Sequence, residues 1–150
     1  MKKLFAILAL GILAVTSPAK AAGGSALLEE QYKAALNRMA QQVRQAPDAA
    51  EKRAILERFT EKMRTGLKNA ESLPSLQEAD RATLETVAGK FSAYHDELQG
   101  APGYTRVADA DLDAYAGFIQ QGMEQAPVGG GIYISAGALI IILLLLIIIF

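Results

Sequence analysis

Apolar residues are distributed along this chain in three ways. Residues 4–15 and 132–150 are continuous apolar runs, whereas residues 25–125 alternate apolar and polar positions with a helical period. Four stripes stand out in the middle segment. The first joins Leu28, Tyr32, Leu36, Met39 and Val43, within a helix predicted from about Ala26 to Arg44. Pro47 ends it, and Asp48 with Glu51 three residues on forms a capping-box pattern. The second helix runs to about Ala70 and aligns Leu56, Phe59, Met63 and Leu67. Pro74 breaks the chain, and Ser75-Leu76-Gln77-Glu78 reads as another capping box. The third stripe, Leu84, Val87, Phe91, Tyr94 and Leu98, has the 3-4 spacing of a coiled coil and stops at Gly100. After Ala101-Pro102-Gly103, a shorter helix holds Leu112, Tyr115, Ile119 and Met123.

Each stripe covers one face only, so the helices must bury their stripes against one another. Short connections favour antiparallel neighbours. The predicted fold is therefore all-α: a small antiparallel bundle of about four helices over residues 22–131, followed by a single C-terminal transmembrane helix over 132–150.

The two apolar ends read differently. Lys2 and Lys3, the apolar stretch Leu4 to Val15, and the small-x-small pattern Ala19-Lys20-Ala21 have the layout of a secretory signal peptide. Cleavage is expected after Ala21, with Ala19 and Ala21 as the processing residues. The C-terminal run carries no charge, and Leu139 to Ile149 is eleven consecutive leucines and isoleucines. Nineteen residues at ~1.5 Å each cover ~28 Å, close to the ~30 Å of a hydrocarbon core. Tyr133 would sit at the headgroup level. The expected topology places the middle of the chain outside the cell membrane, periplasmic or extracellular, with no cytoplasmic tail beyond Phe150. Gly131 and Ser135 form a small-xxx-small pair that suits helix contact in the bilayer. Gly129-Gly130-Gly131 reads as a hinge, or alternatively as a processing site ahead of a removable tail.

Composition narrows the chemistry. Hydrophobic residues make up 51% of the chain, a figure raised by its two ends. There is no cysteine, which excludes disulfides, thiolate metal sites and a cysteine nucleophile. There is one histidine, His95, which excludes any multi-histidine metal site. Charge is uneven: residues 22–70 carry nine basic and six acidic side chains, and residues 71–131 carry three basic and ten acidic. The two halves would attract within one bundle or between copies. An acidic, exported domain argues against nucleic acid as a partner.

Few residues suggest a site. Asp109, Asp111 and Asp113 match the opening of an EF-hand loop, but Ala114 stands where glycine belongs and Gln120 where the closing glutamate belongs. They are equally the acidic start of a helix. His95 lies at the edge of the third stripe; paired with Met39 or Met63 it would resemble a haem-ligand set in a bundle core. The basic cluster Lys52, Arg53, Arg58, Lys62, Arg64 and Lys68 reads as the solvated face of the second helix. No serine sits in a glycine-flanked nucleophile turn, and neighbouring carboxylates on a helix diverge. The sequence thus points to a non-enzymatic, membrane-anchored bundle acting through a protein partner or a second copy of itself, with no cofactor. The alternative is a membrane-tethered bundle that binds a small ligand, haem or metal.

Overall fold

The computed structural model of the chain describes residues 21–124 and 136–149. The expected signal segment with Ala19, the Gly129–Gly131 hinge, and Tyr133, Gly131 and Ser135 lie outside the described residues. Ala21 is the first residue of the first described helix. The described residues form five α-helices and no strand: α1 (Ala21–Gln45), α2 (Ala49–Glu71), α3 (Glu78–Gln99), α4 (Leu112–Glu124) and α5 (Ala136–Ile149). A short 3-10 turn, Asp109–Asp111, leads into α4.

Each helix forms where the sequence supplies a stripe and a stop. Asp48 caps α2, its carboxylate accepting from the Glu51 amide at 2.8 Å. Gly100 ends α3 in the left-handed region at φ 67°, which glycine adopts without steric cost. The Ala101 and Gly100 amides close back on the Asp96 and Glu97 carbonyls at 2.9 and 3.3 Å, the Schellman arrangement. The start of α3 differs from the expected capping box. Its N-cap is Gln77, with no side-chain cap bond. The chain first closes a turn from the Leu73 carbonyl to the Leu76 amide at 3.2 Å, which places Ser75 inside that turn and ahead of the helix start.

The four stripes converge on one core. Tyr32, Leu36, Met39 and Val43 of α1 meet Leu56, Phe59, Met63 and Leu67 of α2. Leu84, Val87, Phe91, Tyr94 and Leu98 of α3 and Leu112, Tyr115, Ile119 and Met123 of α4 complete it. Leu28, the first residue of the α1 stripe, is only partly buried. Phe59 and Phe91 meet edge to face with ring centroids 5.5 Å apart, which fixes α2 antiparallel to α3 together with the Thr60–His95 and Arg53–Leu98 bonds. The Tyr32 hydroxyl donates to the Met123 carbonyl at 2.9 Å and ties α1 to the end of α4.

The tail joins this core. Ala138, Leu139, Ile142 and Leu146 of α5 are buried in the same cluster. The helix lies along a groove between α1 and α2, with its first turn against the start of α3. Gly66 on α2 makes the approach possible: a Cβ there would stand 2.6 Å from Leu145. The expected bundle standing clear of a separate tail is thus not the described arrangement, because an apolar helix in water gains by covering one of its faces. Burying four large side chains such as Leu139, Ile142, Leu143 and Leu146 contributes ~1.5–3 kcal/mol each at most. Among the described residues no helix is long and apolar enough to cross a membrane. The 14 residues of α5 extend about 21 Å.

Candidate functional site

Two polar clusters sit on α2, about two turns of helix apart, and both use residues from the apolar stripe. The first is built on His95, in the last turns of α3. Its ring is buried, and Nδ1 lies 3.0 Å from Thr60 Oγ1. The Thr60 hydroxyl is also within 2.9 Å of the Leu56 carbonyl and 3.1 Å of the Glu57 carbonyl. Which group donates between Thr60 Oγ1 and Nδ1 depends on the ring tautomer: a proton on Nδ1 donates to Thr60, whereas a proton on Nε2 leaves Nδ1 to accept from the hydroxyl. Nε2 faces Glu61 Oε2 at 3.6 Å. Glu61 is held from its other side by Arg64 Nε at 2.5 Å and Thr65 at 3.2 Å. The Arg64 hydrogen bond keeps the Glu61 carboxyl below the usual carboxylate range. Above the ring lies an open surface depression bordered by Glu57, Arg58, Glu61 and Arg64.

The second cluster is built on Arg53. Its guanidinium is buried, with Nη1 donating to the Leu98 carbonyl at 2.6 Å. Nη2 donates to the Val107 carbonyl at 2.6 Å and to Asp109 Oδ1 at 2.8 Å. One side chain thereby closes the end of α3, the following loop and the start of α4 onto α2. Next to it, Lys52 Nζ reaches Asp113 Oδ2 at 2.6 Å. The hydrogen bond from Arg53 holds Asp109 below the usual carboxylate range.

These positions account for the residues singled out from the sequence. Asp109 and Asp113 are engaged by Arg53 and Lys52, and Asp111 is exposed in the 3-10 turn. Among the described residues, no three His, Cys, Asp or Glu side chains gather into a group that would hold a metal ion. Met39 and Met63 are wholly buried in the core. The basic cluster is divided: Arg53 is buried, which corrects its expected place on a solvated face. The signal was present in the sequence, because Arg53 precedes Leu56 by three residues and Thr60 follows it by four, so both belong to the buried stripe.

The sequence reading also missed an aromatic surface. Phe118 on α4 is 56% exposed. Its ring lies 5.8 Å from Tyr115 at an interplanar angle of 31°, and 5.9 Å from Tyr94 edge to face. The Tyr115 hydroxyl donates to Glu97 Oε2 at 2.6 Å, with the Tyr94 carbonyl at 3.2 Å. Burial, reinforced by the Glu97 carboxylate, pushes the Tyr115 phenol above its ordinary range. Tyr94 and Tyr115 are buried beneath Phe118, the exposed ring of this group.

Comparison with known protein families, curated proteins and solved structures finds no match to the chain.

Proposed function

We propose that this chain is a non-enzymatic helical bundle, exported and held at the cell membrane by its C-terminal apolar segment, that acts through protein–protein contact. The bundle faces the periplasm or exterior, after a signal peptide over 1–21, and the anchor covers 132–150. The observation that carries the anchor is the state of α5. Even when docked on the bundle, it leaves Leu144, Ile147 and Ile148 exposed, at 40%, 58% and 66%. These three positions fall at i, i+3 and i+4 and form a continuous apolar stripe. A bilayer buries every face of such a helix, and each Leu or Ile favours insertion. The contact role is supported by the exposed Phe118 ring packed on the buried Tyr94 and Tyr115, the kind of side chain that anchors protein interfaces.

The test is topological. The chain has no cysteine, so A110C, at an exposed position ahead of α4, introduces a single thiol. In intact producing cells a membrane-impermeant maleimide should label it, and alkaline carbonate should leave the protein in the membrane pellet. A thiol labelled only after lysis, or a protein released by carbonate, would overturn the reading.

A further inference from the structure

We propose that the groove between α1, α2 and the start of α3 is a docking site for the chain's own tail, and that groove and bilayer compete for α5. This rests on the anchor reading above and extends it: the tail is sheltered by the bundle in water and released to lipid.

The groove is shaped for this occupant. Gly66 lies mid-helix on α2, where glycine otherwise weakens a helix. The atom it lacks would stand 2.6 Å from Leu145 Cδ2. At the other end of α5, the Asp80 carboxylate lies against Gly137, 2.5 Å from where a Cβ would be. An acid beside the first turn of a helix is attracted by the partial positive charge there. At the far end Ile149 borders a cleft of about 120 Å³ with Gln42, Ile55 and Phe59.

The docked state is also built to be left. From Gly137 to Ile149 no side chain can form a hydrogen bond or ion pair, so the side chains of α5 hold it to the groove by apolar contact. The groove buries Leu139, Ile142 and Leu146 and leaves Leu144, Ile147 and Ile148 in water. Lipid covers both faces at once. The exposed stripe is then the surface that first meets a membrane, and insertion withdraws Leu145 from Gly66.

The experiment uses the full chain and phosphatidylcholine vesicles carrying brominated acyl chains. The chain has no tryptophan, so I147W places one indole on the exposed face, where bromine quenching reports insertion of the tail itself. In that background, G66C with L145C provides a lock that is formed by oxidation and opened by reductant. The oxidised protein should show at least a fivefold smaller quenching than the reduced one. In the same background G66L fills the space of Leu145, and should insert at several-fold lower lipid concentration than the parent. G89L is the control, because a Cβ at Gly89 on α3 meets nothing within 4 Å. It should behave as the parent does. Equal quenching of locked and open protein, or of G66L and G89L, overturns the docking inference and leaves the anchor standing. Absence of quenching in the open protein and in G66L removes the anchor reading, and the inference with it.

Discussion

A single buried side chain joins three elements of this fold. Arg53 satisfies the carbonyl of Leu98, in the last turn of α3, and that of Val107, in the loop ahead of α4, where helical bonding offers them no partner. Removing it leaves both acceptors without their partner and frees the exposed Asp109 carboxylate to water. R53A should cost about 3 kcal/mol in urea denaturation, and R53K should recover little, because one ammonium cannot reproduce the fork. A loss under 1 kcal/mol would show that water replaces it freely. The Asp109 partner makes part of this closure pH-dependent. Its folded pKa is depressed below the ordinary 3.8, so its stabilisation is present above that value and is lost as the pH falls through the lower folded value. Asp109 is exposed, so the effect is small and screened by salt. The urea midpoint of the parent should decline more steeply below pH 4 than that of D109N, and parallel declines would contradict the assignment.

At the scale of the helix, the sequence was legible where stripe and stop agree. The four stripes, the Asp48 cap and the Gly100 terminus are local in origin, so period and turn chemistry reveal them. The buried face of α2 was only half legible. Leu56, Phe59, Met63 and Leu67 announce it, but Arg53 and Thr60 share it and were hidden by their polarity. Their partners are carbonyls and a ring more than thirty residues away, which no local pattern encodes. The Ser75 cap failed for a related reason, since the turn closing at Leu76 competes for the same backbone. The place of α5 was not legible at all, because a run of leucine and isoleucine has no preferred face. Gly66 was the available hint: a glycine in the interior of an otherwise good helix signals a close neighbour. Gly89 provides the comparison. G89A should stabilise the bundle by ~0.5–1 kcal/mol through helix propensity alone. G66A carries the same propensity gain but displaces Leu145, so its gain in thermal or urea stability should fall short. Equal gains would mean that α5 does not press on α2.

The whole molecule is a bundle whose basic and acidic halves are joined in cis, by Lys52 with Asp113 and Arg53 with Asp109. Charge asymmetry in the sequence is thereby used within one copy. Among the exposed apolar side chains are the stripe of α5 and the ring of Phe118. They are separable by mutation. F118A removes an exposed ring, so it should lower stability by at most ~1 kcal/mol, while reducing crosslinking of the membrane-bound protein to its partner or to a second copy. Unchanged crosslinking in a folded F118A protein would remove that surface from the contact role. Whether the tail anchors the mature protein is read from its intact mass. Protein recovered from the carbonate-washed membranes of producing cells should have the mass of residues 22–150, with the signal segment removed and the apolar tail retained. A chain ending near Gly129 to Gly131, or one found only in the soluble fraction, would contradict the anchor reading.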